Sequence, residues 1–589
     1  MSASMAAAAS PEHPRYEADE NPPLLPSLGY GLQFSLIASA TLLVTPVIVA
    51  NAADRGGSYV TWMVFASLVV VGLSTIIQVR KLGFVGAGAV LPMFTAAFAI
   101  PFCITALVDG GPATLATLVI LSAIVQIVMS RWLFILRRFV TPTVGGTVMM
   151  ILSITLASVV FDLLDEATSA DPEEASLTAL ATMVVAAALM LRGSALLRFW
   201  GPLVGIVVGC LVAAGLGIFD TGRIAAAGWV GVPAESPGLA LDFGVDFWVL
   251  VPAFLFLGAI ISIQANGAAI AMQRVSWRDN RAVSFRQVQG AVAGAGASNL
   301  LAGLAGTVPN AINPAMVSFT QITGVAARRG GYSIGLILIL VAFLPKVSAV
   351  LSSIPGPVMT GYLIMVTGAL FVDGARTVIQ NEQSQEKIAV AGVCFWIAAS
   401  FQFELFALPD IGRVGGALLK SGITTGGLAA IVMILYLELT NPRRMRFRSQ
   451  LDVDALPDLN AFITRFAQRR GWDSAMQERL GAVAEETLLT LAPLDLSLGN
   501  EDEEKPKDER QLVVLASSEG TTADLEFIGG GAGANLEDQI RQIQEHDSLT
   551  AVEEELSLVL LRSYAESVTH QQYHDTDIIT VRVVPPDTG

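Results

Sequence analysis

The feature that most constrains this chain is a series of long apolar runs that occupies most of its length. From Leu28 to about Thr440 these runs follow one another with short polar breaks. A helix needs ~20 apolar residues to cross ~30 Å of hydrocarbon, and several runs are that long. The chain of 589 residues is only 15% charged, whereas a soluble domain carries about 25% charge. A disordered chain, a fibrous protein and an ordinary soluble enzyme are therefore excluded over most of the length, and a polytopic protein of the lipid bilayer is predicted.

About fourteen apolar segments can be distinguished, and we number them in chain order. Segments 3 (84–107) and 10 (308–325) contain prolines and small polar residues, which predict that both are discontinuous. The other twelve segments cover 29–52, 59–79, 112–130, 139–164, 175–191, 198–219, 246–273, 285–305, 332–353, 356–372, 388–407 and 418–440.

The charges between the segments predict an orientation. Basic residues such as Arg137, Arg138, Arg328 and Arg329 cluster in alternate loops, and the intervening loops are mostly acidic. By the positive-inside rule the basic loops face the cytoplasm, so both termini are expected there and the protein is expected in the inner (plasma) membrane. The net charge of −16 argues against nucleic acid as a partner. The three cysteines lie in apolar runs and suggest neither disulfides nor a metal site, and no cofactor is predicted.

Composition divides the chain into four regions. Residues 1–28 are polar, lack the basic start of a signal peptide and are expected to form a cytoplasmic tail. Residues 29–440 hold the fourteen segments, and residues 441–451 are expected to be a basic juxtamembrane linker. Residues 452–589 are acidic and have the size of a soluble domain.

The pattern within the last region predicts an α/β fold. Helical periodicity covers Phe462–Leu491 and Leu556–Val568. Short runs typical of strands are Gln511–Ala516, Ala523–Ile528 and Asp577–Val584.

Two candidate binding places are the interruptions of segments 3 and 10. In Leu91–Phe102 a proline near each end brackets Ala97 and Phe98. In Gly306–Thr323 the density of Asn and Pro predicts an extended stretch that leads into a helix beginning near Ala315. The free N–H groups at the start of a half-helix bind anions or carbonyl oxygens without a charged side chain.

A third candidate place is the middle of segment 8. Gln264 and Asn266 lie there in an otherwise apolar helix. Such amides often serve only as hydrogen bonds between helices, worth about 1 kcal/mol. Irregular backbone at membrane depth is tolerated only where it is buried in protein or lines a cavity. The Pro/Asn cluster of segment 10 is therefore the stronger indicator of a site.

At these places the sequence resembles the nucleobase–ascorbate transporters, the xanthine/uracil permease family, over roughly residues 28–440. The matching stretches are Gly31-Leu32-Gln33, Ala97-Phe98 with Pro101, Thr141–Thr147, Gly306–Asn310, and Ile354-Pro355 with Gly361. The resemblance implies an α-helical fold of two inverted repeats of seven segments, divided into a core and a gate domain. It also implies a homodimer, a solute held between the half-helices of segments 3 and 10, and transport by alternating access.

Several positions depart from the family's pattern. The residue that stands for the family's substrate-binding acid or amide in segment 10 is Ala315, and its neighbour is Met316. Gln264 stands for a glutamate in segment 8, and Phe34 for a histidine in segment 1. Because no titratable group remains, the usual symport of protons is expected to be absent or to use other groups. The substrate-binding residues implied are Gln264, Phe98, Ala97, Asn313, Pro314, Ala315, Ser318, Asn310, Gln33 and Asn266.

The C-terminal region resembles the anti-sigma-factor, serine-kinase-type ATPase domains. Phe466–Gly471, Arg479-Leu480 and Glu485-Glu486 match the first helix pair of that family. The family's metal-holding Asn is Thr490, and its adenine-reading loop is Gly529–Gly533. These departures imply a degenerate domain that binds ATP poorly or not at all and acts through a cytoplasmic regulatory partner or in dimerisation.

Three functions stay open at this point. The first is a secondary transporter that moves a small polar solute, with nucleobases as the leading class. The second is a transporter of a small anion, because sulfate-type transporters and anion exchangers share this architecture and use half-helix dipoles at sites without carboxylates. The third is a membrane sensor that transports nothing and signals through its C-terminal domain. No catalytic residues are predicted.

Overall fold

The protein is described by a computed structural model that falls into two compact units. One comprises Met1–Arg278 with Gln287–Leu437, and the other comprises Asp279–Arg286 with Glu438–Gly589. The structure describes residues 14–53, 55, 57–133, 142–168, 172–219, 222–233, 236–279, 281–312, 315–381, 385–406, 422–440, 444–491, 511–519, 521–529, 535–537, 561, 563–573 and 576–585.

In the first unit, the predicted segments correspond to helices, two of which are broken and one of which is bent. Segments 1, 2 and 4 to 9 are the helices Leu24–Ala52, Gly57–Arg80, Gly111–Arg131, Pro142–Thr168, Pro172–Arg192, Ala195–Gly215, Val245–Val275 and Phe285–Leu304. Segments 12 to 14 are Gly356–Asn381, Gln385–Gln402 and Gly422–Thr440. A five-residue helix, Gly222–Ala226, follows segment 7.

Segment 11 differs from the single run that the sequence predicts. It consists of Arg328–Ala342 and Pro345–Ser352, which bend by 85° at the break between them. Pro345 is the cause, because its ring removes a backbone donor and collides with the preceding turn of a continuing helix.

Several helices are suited to a bilayer by length and composition. Among the described residues, five helices are long and apolar enough to cross a membrane, and the bent pair of segment 11 makes a sixth if it counts as one span. Segments 1, 5, 7 and 14 contribute shorter apolar stretches. The most apolar stretch of segment 2 is 61% buried, whereas that of segment 6 is 28% buried. Segment 6 therefore has most of its surface on the outside of the unit.

Segments 3 and 10 are discontinuous, as the sequence predicts. In segment 3, strand β1 (Met93–Thr95) leads through a turn of 3-10 helix into Ile100–Asp109. In segment 10, strand β2 (Asn310–Ile312) precedes the helix Ala315–Thr323. The two strands pair in antiparallel register. Their mutual hydrogen bonds satisfy backbone groups that an unwound chain would leave unpaired at membrane depth.

Residues 14–23, which we call the N-terminal strap, form an ordered extension of segment 1. Tyr16 donates its N–H to the carbonyl of Gly324 and accepts from the N–H of Ala326, both at 2.9 Å. Arg328 donates its N–H to the carbonyl of Ala18 at 3.1 Å. The strap therefore runs beside the chain that joins segments 10 and 11.

Ion pairs hold the strap at a second place. The guanidinium of Arg278, which follows segment 8, donates to both carboxylate oxygens of Glu20 at 2.9 and 3.0 Å. The same group donates to the carbonyl of Arg15 at 2.9 Å. Arg328 pairs with Asp19 at 2.7 Å. These contacts connect the ends of segments 8, 10 and 11 through the strap.

The second unit contains a five-stranded antiparallel sheet with the strand order β3-β4-β5-β7-β6. Its strands are β3 (Met445–Gln450), β4 (Gln511–Glu519), β5 (Thr522–Gly529), β6 (Ser567–Gln572) and β7 (Asp577–Val583). Two helices, Leu456–Arg470 and Ser474–Leu491, join β3 to the region before β4. Alternate apolar residues of the sheet and the inner faces of both helices share one core.

The sequence anticipates β4, β5 and β7 but not the rest of this sheet. β3 lies in the stretch expected to be a linker, and its register with β4 runs from Met445 to Gln450. The predicted helix Leu556–Val568 is wrong at its end, because Ser567 and Val568 begin β6; residues 556–560 and 562 lie outside the described residues. β6 has few strong strand formers, so pairing with β7 decides its conformation. The predicted helical stretch Phe462–Leu491 is two helices, since Gly471 takes a left-handed conformation (φ +70°) after the first.

We expect Glu20→Gln to loosen the strap. Exposed ion pairs contribute little stability, so tryptic cleavage after Arg15, measured under native conditions, should accelerate modestly, by about twofold. Glu173→Gln, at an exposed position of segment 6, is the matched control. Equal cleavage rates for the two variants would contradict the role given to Glu20.

Acid should release the same contact. The hydrogen bond from Arg278, followed by that from the Glu17 backbone, lowers the pKa of Glu20 below its usual range. A carboxyl with a lowered folded pKa contributes stability above its unfolded value, near 4.3, and loses that contribution as pH falls through the folded value. Hydrogen exchange at Tyr16 and Ala18, corrected for intrinsic rates, should therefore stay slow at pH 5 and accelerate below about pH 4. No change across this range would contradict the assignment.

Candidate functional site

The centre of the candidate site is the paired break of segments 3 and 10. Thr95 pairs with Asn310 and Met93 with Ile312, so the two half-helices leave the strand pair at opposite ends. Ala96 adds a further bond by donating its N–H to the carbonyl of Pro309 at 2.9 Å. Each half-helix therefore begins beside the strand of the other segment. Helix N-termini placed in this way direct free N–H groups and positive dipole ends toward the middle of the unit.

Segment 8 lies against this centre. Its helix contacts β2 and both half-helices. The side-chain oxygen of Gln264 is buried and has no hydrogen-bond partner among the described residues. A buried acceptor left unpaired costs about 1–3 kcal/mol. Gly267 lies one turn away on the same face, and a side chain at that position would meet no atom within 4 Å. Gln264 thus carries a buried acceptor without a partner, one turn from a position of the helix that has room for additional atoms.

The other predicted site residues take different positions. Phe98 is buried, whereas Ala97, Gln33 and Asn266 are half-buried. Ser318 is exposed, and Ala315 is the first residue of its half-helix. Asn313 and Pro314 lie outside the described residues. Segment 1, which carries Gln33, contacts β1 and the half-helix of segment 3. The structure therefore brings together the segments that carry these residues.

Asn310, predicted to bind substrate, lies in a buried hydrogen-bond network that this prediction does not anticipate. Its side chain is fully buried and donates to the hydroxyl of Ser298 at 3.2 Å. Its backbone N–H donates to the side-chain oxygen of Asn299 at 2.5 Å, and Asn299 donates to the Asn310 carbonyl at 2.9 Å. Asn299 also donates to the side-chain oxygen of Gln126 at 3.0 Å. Asn299 therefore replaces a strand partner for β2 and fixes the break to segments 4 and 9.

A second buried amide supports the approach to segment 3. Gln78 accepts from the N–H of Ala87 at 3.1 Å and donates to the carbonyl of Ala291 at 2.9 Å. One turn earlier, the hydroxyl of Thr75 accepts from the N–H of Met93 at 3.2 Å. Sequence reasoning did not single out Gln78, Gln126 or Asn299. The available signal was an amide in the middle of an apolar run, the same signal that drew attention to Gln264.

Aromatic contacts close the same region on the side of segment 1. The ring of Phe34 lies 5.6 Å from that of Phe94 in an edge-on arrangement and 5.2 Å from that of Phe319. The ring of Tyr30 lies 5.2 Å from that of Phe319. Such pairs contribute about 0.5–1.5 kcal/mol beyond area burial. Phe34 is therefore an apolar link between the two broken segments.

The chemistry available at the centre is neutral hydrogen bonding. The ten predicted residues include no side chain that ionises in the ordinary pH range. They offer amide groups, a hydroxyl, an aromatic ring and the backbone at two half-helix starts. This set can bind carbonyl oxygens and N–H groups of a small polar solute.

Asn299→Leu should destabilise the break of segment 10, although the volume of the side chain changes little. The mutation leaves the Asn310 N–H and carbonyl without their partner, which costs about 1–3 kcal/mol for a buried polar group. We expect a lower unfolding temperature of the purified protein in detergent. Asn51→Leu, at an exposed position near the end of segment 1, is the matched control. Unfolding temperatures that agree for wild type and Asn299→Leu would contradict the structural role of Asn299.

Several known proteins are similar to this chain over most of its length. A putative purine permease of Clostridium perfringens is 28% identical over 442 residues, which cover 74% of this chain and 96% of that protein. The xanthine permease XanP of Escherichia coli strain K12 is 25% identical over 440 residues, covering 71% of this chain and 94% of that protein. The solved transmembrane domain of a cyanobacterium bicarbonate transporter, BicA, is 16% identical with a TM-score of 0.46, covering 72% of this chain and 100% of that one.

The family assignment rests on the membrane region. The family model Xan_ur_permease, described as a permease family, matches residues 27–404. This range contains both broken segments and segment 8. The protein is therefore a multi-pass membrane permease for a small solute and not an enzyme, and the chain belongs to the Xan_ur_permease family.

Proposed function

We propose that the protein transports a nucleobase, with oxo-purines as the leading class, across the plasma membrane. The observation that carries the proposal is the buried, unpartnered oxygen of Gln264 on the helix that contacts both half-helices. The printed names of the two relatives, a purine and a xanthine permease, support the same class of solute. Both termini are proposed to face the cytoplasm, and the working form is proposed to be a homodimer.

The chemistry of an oxo-purine complements this site. Its ring presents carbonyl oxygens next to N–H groups, and the Gln264 amide offers one acceptor and two donors. The N–H groups at the half-helix starts can donate hydrogen bonds to the ring carbonyls. Phe98 supplies an aromatic face near one of these starts. Movement of the helices that carry Gln264 and the half-helices against the rest of the bundle would then give alternating access.

Gln264→Ala tests the proposed binding residue. Loss of a hydrogen bond to a buried partner is worth about 0.5–1.5 kcal/mol, more where a polar group is left unsatisfied, so xanthine affinity should fall about tenfold. The measurement is calorimetric titration of the purified full chain, with uptake in liposomes. Gln273→Ala, the same change further along the same helix, should bind xanthine as the wild type does.

The outcomes of this titration separate the candidate functions. Unchanged xanthine affinity in Gln264→Ala would contradict the role of Gln264. A wild-type protein that binds no purine or pyrimidine but takes up a small anion with net charge movement would favour the anion transporter, for which the carboxylate-free half-helix starts are suited.

Binding should depend little on pH. Because none of the proposed binding residues titrates, xanthine affinity, corrected for ionisation of xanthine itself, should change less than about twofold between pH 5 and 8. A steep dependence that Gln264→Ala abolishes would show that a proton is bound at this site and would contradict the neutral mechanism.

A further inference from the structure

A cavity lies at the end of the bundle opposite the strap. It has a volume of about 420 Å³ and is lined by Arg55, Tyr59, Pro112, Pro237, Gly238 and Gly306, among others. Segment 1 begins at the strap and ends just before Arg55, which places the cavity at the far end. Gly306 stands four residues before β2 in the chain. The cavity therefore lies where the chain enters the break of segment 10.

The cavity wall carries two hydrogen-bond donors without acceptors. The Nε–H of Arg55 and the hydroxyl of Tyr59 are buried and have no partner among the described residues. One other nitrogen of the Arg55 guanidinium donates to the carbonyl of Leu107 at 3.0 Å. This bond holds the guanidinium at the end of the half-helix Ile100–Asp109 but uses only one of its five N–H groups. A buried donor left unpaired is unfavourable, and an acceptor on a ligand would remove that cost.

The remaining wall indicates the type of ligand. Among the described residues that line the cavity, Arg55 is the only charged one, and the others apart from Tyr59 are Pro, Ala or Gly. The volume lies within the range of about 300–1,000 Å³ of small-molecule sites. An apolar wall with one cation and one phenol favours a small planar solute that carries acceptor oxygens or a negative charge.

The loop over the cavity is held in place at one end. Asp242 accepts from the hydroxyl of Thr114 at 2.6 Å and from the N–H of Gly244 at 2.9 Å. Its own N–H donates to the hydroxyl of Thr117 at 3.0 Å. These bonds lower the pKa of Asp242, the bond from Thr114 first. The carboxylate of Asp242 is thus engaged by its neighbours on segment 4 and in the loop.

We propose that this cavity is a vestibule in which Arg55 and Tyr59 bind an anionic or oxo-substituted planar solute before it reaches the break of segment 10. The inference rests on the proposed function only for the statement that the solute goes on to bind at the break of segment 10. The binding itself does not depend on Gln264, because Arg55 and Tyr59 stand on different elements from segment 8. The solute should therefore bind at two sites, and binding in the vestibule should not require Gln264.

The test is calorimetric titration of the purified full chain with urate, which is anionic at neutral pH. We expect two binding steps in the wild type. Gln264→Ala should weaken only one of them, about tenfold, and Arg55→Gln should weaken only the other, at least about tenfold, the value of a charge-assisted hydrogen bond. Arg55→Lys should retain part of the binding, and Tyr59→Phe, which removes only the hydroxyl, should weaken it. Unfolding temperatures of all variants check that they fold.

The possible results are distinguishable. Residual binding in Gln264→Ala that weakens with Arg55→Gln and with about 0.5 M salt supports the vestibule, even if uptake of nucleobases fails. A single binding step in the wild type, which Gln264→Ala weakens, overturns the vestibule, even if the wild type transports xanthine. Residual binding that Arg55→Gln leaves unchanged overturns it as well.

Discussion

The structure depends on how two membrane segments can break without leaving backbone groups unpaired. Hydrocarbon offers no partner for a free N–H or carbonyl, so an unwound helix is tolerated only where protein supplies the missing bonds. The pairing of β1 with β2 supplies some of them, and Asn299 supplies two more at Asn310. Once these bonds are made, two half-helix starts can face the interior of the bundle. We propose that the solute binds at these starts without a charged side chain.

None of the proposed binding residues has an ionisable side chain, and this limits the chemistry of the centre. Gln264 and the half-helix starts can recognise a solute by shape and hydrogen bonding, but they cannot exchange protons with it. Phe34, which stands where the resemblance implies a histidine, packs against Phe94 and Phe319 and joins the two broken segments through apolar contact. The described charges of the membrane unit lie instead toward its ends, at the strap with Arg278 and Arg328 and at the far end with Arg55.

The sequence predicted the membrane segments well because each one carries its own signal. Apolar length marks a span, and the density of Asn and Pro around Asn310 marks a break, so both could be read locally. The hydrogen-bond and ion-pair partners of the polar residues could not be predicted from local sequence. Arg278 and Glu20 are 258 residues apart in sequence, and Asn299 looks like any polar residue in a small-residue helix. β3 and β6 were missed for the same reason, since their strand neighbours decide their conformation.

The C-terminal unit shows the same division between local and distant signals. One helical stretch and three strands were predicted from periodicity, whereas the division of that stretch into two helices was not. The core of apolar residues from both helices and the sheet agrees with an α/β domain. The proposed likeness to a degenerate ATPase domain stays a prediction. Thr490 donates its hydroxyl to the carbonyl of Glu486 within its own helix, and residues 530–533 of the glycine-rich loop lie outside the described residues.

The solute is proposed to bind at the break of segments 3 and 10, in contact with Gln264. An experimental structure of the full chain with bound xanthine tests it most directly. We expect ligand density between the starts of the two half-helices, with a ring carbonyl or N–H within hydrogen-bond distance of the Gln264 amide. Density for xanthine elsewhere in the bundle, with the Gln264 side chain still unpartnered at saturating xanthine, would contradict the account.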